Sequence, residues 1–321
     1  MNYRRLGSTG LNISEIGFGA WGLGGDKGGS RAYGPTDDAE SLSALRRALD
    51  LGITFFDTSD FYGFGHSESL IGAAFKDCRD RVIIASKTGF LDAAGRQDFS
   101  PAHIRASLEG TLQRLKTDHL DLYQLHSPSA ELLIQTPEIL ETLGELVREG
   151  RIRAYGVSLR SPEDGLTLLR ACRVGCVQVN FNLADQRART SGLFDLCRST
   201  DTGVIARTPL CFGFLTGQYS DTAALPESDH RRRWSQEQVE CWHKAPQLFA
   251  AALKAQPQQT PAQRALRFCI SYPEVSSVIP GMLTAAQVGE NAAAGDPGPF
   301  PAEALSALQR IYDEQDFKAA L

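Results

Sequence analysis

An α/β fold is predicted for this sequence, a (β/α)8 TIM barrel spanning residues 1–321 as one domain, with an N-terminal β-hairpin as its cap. Three observations lead there. Short apolar runs of strand length alternate with helical patterns along the whole chain. The strand-like runs number eight, each followed by a helix or a long loop. No proline- or serine-rich linker, low-complexity segment or repeat beyond that alternation divides the chain. A doubly wound open sheet is the alternative arrangement.

The elements follow in order. Residues 3–14 read as a small hairpin that turns at Gly7-Ser8-Thr9-Gly10. The strands are predicted at 16–19, 54–57, 82–87, 120–126, 154–158, 177–181, 204–207 and 275–280. Helical periodicity falls between them at 37–51, 67–75, 101–115, 137–148, 162–171, 192–199 and 261–272. Two further helices, 284–294 and 301–312, follow the last strand. Ser100-Pro101, Thr136-Pro137, Ser161-Pro162 and Thr260-Pro261 each set a hydroxyl at an N-cap and proline at the first helical position. The segment 220–245 reads either as a long loop folding over the cofactor, with Trp234 or Trp242 as anchors, or as a surface excursion unrelated to the site.

Gly17-Phe18-Gly19-Ala20-Trp21-Gly22 satisfies a G-x-G-x-x-G pattern after a strand. A dinucleotide fingerprint needs its third glycine to open a helix. Here Leu23-Gly24-Gly25-Asp26-Lys27-Gly28-Gly29 follows, too glycine-rich for a helix, so the stretch reads as a loop at the barrel rim.

Composition narrows the class. With 42% hydrophobic and 22% charged residues the chain can bury a sizeable core. A net charge of −5 argues against a nucleic-acid surface, which wants a basic face. The one dense basic run, His230-Arg231-Arg232-Arg233, reads as a solvated loop. No apolar stretch reaches the roughly 18 residues of a membrane-spanning helix, and the polar first residues lack an apolar signal core. A cytoplasmic location with no membrane partner is therefore expected. The 7 cysteines form no C-x-x-C pair and read as small buried hydrophobes in a reducing compartment. The 6 histidines include no H-x-H or H-E-x-x-H, so no metal site is predicted. The sequence carries no signature of a particular oligomeric state.

In a β/α barrel the C-terminal strand ends share one mouth. That rule collects Asp57 and, from its loop, Tyr62; Lys87 at the end of the third strand; and His126 at the end of the fourth. A phenol with an ordinary pKa near ~10 is a weak acid at neutral pH unless its anion is stabilised. Lys87 beside it would lower that pKa, and Asp57 would keep the lysine charged and oriented. His126 would hydrogen-bond a substrate oxygen. The set would protonate a developing alkoxide while hydride arrives at carbon from elsewhere.

Asp57-x-x-x-x-Tyr62-Gly63 with Ser67-Glu68, the Lys87 strand and Leu122-Tyr123-Gln124-Leu125-His126 together resemble the aldo-keto reductase family. Tyr155-Gly156-Val157-Ser158, Gln178-Val179-Asn180, Pro209-Leu210 through Leu215-Thr216-Gly217, and Val278-Ile279-Pro280-Gly281 with Gln287, Glu290 and Asn291 extend the likeness over nearly the whole chain. The resemblance implies an NAD(P)(H)-dependent oxidoreductase acting on a small aldehyde, ketone or keto-sugar, with Tyr62 as general acid and Lys87, Asp57 and His126 around it. It also implies cofactor contacts: Ser158 and Gln178 at the nicotinamide carboxamide, Pro209, Leu210, Leu215 and Gly217 along the pyrophosphate, Gly281 and Gln287 near the ribose phosphate, and Glu290 and Asn291 at the adenine. Trp21, Phe64, Phe90 and the 220–245 segment read equally as substrate contacts or as plain packing.

The chain departs from the family pattern at three places. Leu159 follows Ser158 where asparagine is usual. Arg207 stands where many members stack an aromatic ring on the nicotinamide; its planar guanidinium can stack or pair with phosphate. Met282-Leu283 and Gln287 replace arginines that often grip a 2′-phosphate, so little discrimination between NADP(H) and NAD(H) is expected. The altered nicotinamide contacts also support an alternative, a cofactor-binding regulatory or sensor subunit with little turnover.

Overall fold

The computed structural model describes residues 1–27, 32–253, 256 and 258–317; Gly28 and Gly29 of the glycine-rich loop lie outside them. The hairpin strands β1 (Tyr3–Arg5) and β2 (Asn12–Ser14) pair antiparallel. Eight parallel strands follow: β3 (Phe18–Gly19), β4 (Phe55–Asp57), β5 (Ile83–Thr88), β6 (Leu120–His126), β7 (Ile152–Ser158), β8 (Cys176–Asn180), β9 (Gly203–Arg207) and β10 (Val275–Val278). Their spatial order is their chain order, and the first meets the last through parallel bridges Ile16↔Val278 and Gly19↔Gly281. The sheet is therefore a barrel, as expected.

The glycines of the false fingerprint serve this seam. A Cβ at Gly19 would lie 2.6 Å from the carbonyl oxygen of Ile279, so only glycine lets the edge strands meet there.

Strand residues two apart share a face, so each strand end can be read as a layer. Phe55, Ala85, Leu122, Ala154, Cys176 and Ile205 form one apolar layer inside the barrel, and Leu6, Leu11 and Ile13 of the hairpin pack against it. Ser8 N–H donates to the Asp201 carbonyl at 2.8 Å, which pins the hairpin over the N-terminal end of β9. Two residues further on, the same strands carry Asp57, Lys87, Gln124, Gly156, Gln178 and Arg207. The hydrophobic plug below and the open mouth above concentrate the polar residues at one end.

The helices around the barrel are α1 (Asp38–Asp50), α2 (His66–Phe75), α3 (Pro101–Leu115), α4 (Ala130–Gln135), α5 (Glu138–Arg148), α6 (Pro162–Ala171), α7 (Arg187–Thr190), α8 (Leu193–Ser199), α9 (Gln236–Ala252), α10 (Pro261–Ile270), α11 (Ala285–Ala292) and α12 (Ala302–Glu314). Ser100, Ser161 and Thr260 accept the N3 amide of α3, α6 and α10, each contact contributing about 1 kcal/mol. Thr136 does not cap α5. It closes α4, its N–H donating to Leu132 O at 3.0 Å, because a short helix capped by Ser129 precedes it.

The 220–245 segment also differs from expectation. A 3-10 turn at His230–Arg233 leads directly into α9, whose buried stripe is Val239, Trp242, Ala245 and Phe249. Trp242 anchors that helix to the core, its indole N–H donating to Phe317 O at 2.8 Å. The basic run is only half solvated: His230 and Arg231 are buried, while Arg232 and Arg233 are exposed. Burial is possible because Asp229 takes two hydrogen bonds from the Arg231 side chain, at 3.0 and 2.7 Å.

Candidate active site

The loop after β4 is pinned by close backbone packing. Gly63 has φ +61, and a Cβ there would lie 2.5 Å from Gly24 O, so this turn folds against the first barrel loop. Behind it, Ser67 Oγ donates to Ala20 O at 2.9 Å, and Glu68 accepts from Arg114 Nε at 2.6 Å and Ser86 Oγ at 2.5 Å. The Ser67-Glu68 pair thus locks the start of α2 to the barrel wall and fixes the loop that presents Tyr62.

Lys87 reaches up from β5 into the mouth and is buried. Its ammonium has three protons and three acceptors: Asp57 Oδ1 at 2.5 Å, Thr58 O at 2.8 Å and Tyr62 Oη at 3.1 Å. Asp57 Oδ2 accepts from Gln124 Nε2 at 3.0 Å and Gln178 Nε2 at 2.8 Å, so the carboxylate cannot turn. His126 Nδ1 lies 3.2 Å from Ser59 Oγ, and its ring meets Phe90 edge-on with centroids 4.8 Å apart.

Burial pushes the Tyr62 phenol above its ordinary value; the charge of Lys87 pulls against this and Asp57 adds to it. The lysine therefore moderates the phenol's pKa without bringing it below that of free tyrosine, because desolvation outweighs the nearby cation. Desolvation works against the charged form of Lys87 too, but Asp57 and Tyr62 outweigh it and hold the ammonium above 10.5. Burial, with the Lys87 and Arg207 cations, drives His126 well below 6.5, leaving a neutral ring at neutral pH.

A cleft of about 470 Å³ starts at Asp57, Tyr62 and His126 and runs along Arg207, Pro209 and Leu210 to Gly281, Gln287, Glu290 and Asn291. Gln178 lines it as well. Ser158 lies beneath the surface, its hydroxyl accepting from Arg207 Nη1 at 3.1 Å. Arg207 also donates to Leu159 O at 2.8 Å and Asn180 Oδ1 at 2.8 Å, so one guanidinium joins the ends of β7, β8 and β9. Leu215 is buried in the core and Gly217 ends the turn with φ 75; Gly213 and Thr216 face the cleft beside them. Gln287 folds back, its Oε1 accepting from Leu283 N at 2.7 Å. Trp21 and Phe90 line the reacting end; Phe64 stays exposed and touches the cleft wall through Phe61 at 5.5 Å.

Several residues at or beneath the cleft escaped sequence reasoning. Gln124 lies two residues before His126 on the same strand face, a spacing that could have found it. Arg231, flanked by Tyr33 and Tyr219 rings 5.0 and 4.0 Å from its guanidinium, had no local signal, since its neighbours come from distant segments. Asn180 and Thr208 complete the wall.

The match to known proteins follows the same lines. A family model described as the aldo/keto reductase family matches residues 15–313. The chain belongs to this family. The oxidoreductase YqkF of Bacillus subtilis, described as uncharacterized, is 31% identical over 324 residues, covering 99% of each chain. L-galactose dehydrogenase of Arabidopsis thaliana is 32% identical, over 91% of this chain and 87% of its own length. The holo form of aldo-keto reductase AKR11C1 from Bacillus halodurans superposes with a TM-score of 0.78 at 28% identity, covering 97% of this chain and 96% of that one. Glycerol dehydrogenase AKR11B4 from Gluconobacter oxydans gives 0.81 at 26%, over 97% and 95%. This chain is thus an oxidoreductase of the aldo/keto reductase family, whose members reduce carbonyl compounds with nicotinamide nucleotides. Among the described residues, no group of three or more His, Cys, Asp or Glu is placed to hold a metal, and no helix is long and apolar enough to cross a membrane.

Proposed function

We propose that this aldo/keto reductase converts a small aldehyde, ketone or keto-sugar to the alcohol, or the reverse, with NADP(H) or NAD(H) and with Tyr62 as its proton donor. What supports the reading is one juxtaposition: a buried ammonium, Lys87 Nζ, held 2.5 Å from Asp57 Oδ1 and 3.1 Å from Tyr62 Oη at the head of the cleft.

The donor set suits a dinucleotide. Arg231 lines the cleft beside Gly213, where a diphosphate would lie. Pro209, Leu210, Gly213 and Thr216 would hold the same stretch, and Gly281, Gln287, Glu290 and Asn291 the adenosine end. Gln178 faces the nicotinamide end, and Arg207 stands between that end and Ser158.

A bound nicotinamide supplies the hydride that forms the new C–H bond. Tyr62 Oη gives its proton to the carbonyl oxygen, forming the O–H bond, and is reprotonated from solvent. Lys87 stabilises the phenolate that this leaves, and Asp57 keeps Lys87 charged. Neutral His126 orients the carbonyl. The rings of Trp21, Phe61 and Phe90 wall the reacting end and keep water from it. Keto-sugars stay in the substrate class because two relatives are named as sugar or polyol dehydrogenases.

The deciding assay mixes the protein with NADPH or NADH and a panel of aldehydes and ketones while absorbance is followed. Continued oxidation over many turnovers is expected. A cofactor that binds and is never consumed would establish the sensor reading instead. With no cation at positions 282, 283 or 287, kcat/KM for the two cofactors should differ by less than about a hundredfold. A larger preference for NADPH would refute this.

A further inference from the structure

We infer that Asn180 is a cofactor-binding residue whose side-chain N–H donates to the carboxamide oxygen of a bound nicotinamide, in the place left by Leu159. The inference deepens the reading above and rests on it.

Asn180 ends β8 and lines the cleft. Its amide has one orientation. Arg207 Nε lies 2.8 Å from one of its two ends, and an arginine N–H can only donate, so that end is the oxygen Oδ1. Thr208 Oγ1 reaches the same oxygen at 3.1 Å. The opposite end, Nδ2, carries two N–H groups and has no acceptor among the described residues. Nor is it one of the buried nitrogens left without a partner, such as His103 Nε2 and His230 Nε2, so it is open at the cleft.

The neighbouring groups call for a donor here. Gln178, two residues earlier on the same strand face, spends its N–H groups on Asp57 Oδ2 at 2.8 Å and Gln124 Oε1 at 3.3 Å. It offers a ligand only its oxygen, which can take the N–H of a carboxamide and not its C=O. Ser158 is buried beneath the surface, and Leu159 has no polar side-chain atom. Each nitrogen of Arg207 is already engaged: Nε with Asn180, Nη1 with Ser158 and Nη2 with Leu159 O. Asn180 Nδ2 is the uncommitted amide donor beside Gln178, and a carbonyl oxygen taken out of water needs one.

The test is equilibrium binding in the absence of any carbonyl substrate, followed by tryptophan fluorescence. The ligands are NADH, its reduced 3-acetylpyridine analogue, and ADP-ribose. The analogue keeps the C=O but has no N–H to turn toward a carboxylate, and ADP-ribose lacks the ring altogether. Asn180→Asp keeps an oxygen for Arg207 and Thr208 and replaces the donor by an acceptor. Affinity for the analogue should fall about tenfold, the loss expected for one hydrogen bond, and affinity for NADH should fall with it. Affinity for ADP-ribose should stay within about twofold. An unchanged affinity for the analogue overturns the inference. So does an equal loss for ADP-ribose, which would place Asn180 at the ribose or phosphates, or in the fold alone. Should Asn180→Asp fail to fold, Asn180→Ala is expected to give the same split between ring-bearing and ring-free ligands. Native protein that binds none of these ligands refutes the cofactor reading itself, whereas native binding with both variants unchanged refutes the inference alone.

Discussion

Tyr62→Phe should lower carbonyl reduction by about a thousandfold and leave cofactor affinity within a few-fold of native. The substitution removes one oxygen and nothing else. General acid catalysis by a placed side chain contributes on the order of 100- to 10,000-fold, and among the described residues Tyr62 is the phenol that Lys87 holds. His126 lines the same space but has its pKa driven well below 6.5, so it carries no spare proton at neutral pH. A small cost in stability should accompany the change, because Lys87 loses one of its three acceptors inside the barrel. Steady-state kinetics with a carbonyl substrate, alongside cofactor titration by fluorescence, separates the two effects. Turnover above about a tenth of native would sink the assignment of Tyr62.

Lys87→Met should cost about 3–5 kcal/mol of stability as well as activity. Methionine approximates the length of the lysine stem, so packing changes little. What changes is Asp57, a buried carboxylate left facing Gln124 and Gln178 with no cation beside it. Asp57→Asn added to Lys87→Met removes that uncompensated charge, and the double variant should recover more than half of the lost stability while staying inactive. Denaturant unfolding of the four proteins in the cycle measures this. The pH dependence has a definite sign. Lys87 titrates above 10.5 in the fold, so its contribution is fully present below that value and is lost as pH rises through the folded pKa. Alkaline unfolding should therefore come at lower pH for a protein that already lacks the pair's other member.

Much of the fold was legible because its signals are local. Proline after a hydroxyl marked α3, α6 and α10, and apolar runs bounded by turn residues marked the strands to within a few positions. The failures have physical causes. Thr136-Pro137 carries the same dipeptide signature, but α4 ends there first and takes Thr136 as its C-cap. In α9 the buried stripe Val239, Trp242, Ala245 and Phe249 runs past Pro246, a residue that ordinarily argues against a helix interior.

By itself, the order of residues along the chain determined the barrel, the strand ends that carry Asp57, Lys87 and His126, and the loop that carries Tyr62. Each follows from short apolar runs, helical periodicity and turn chemistry within a few residues. Only the tertiary structure decided who holds whom. Gln124 and Gln178 clamp Asp57, Arg207 spans Ser158, Leu159 and Asn180, Arg231 turns inward on Asp229, and Ser59 meets His126. Those pairings join residues brought together by barrel closure and by loops folding over its mouth. Hydrogen bonds depend on tenths of an ångström between side chains distant in sequence, which local pattern does not encode.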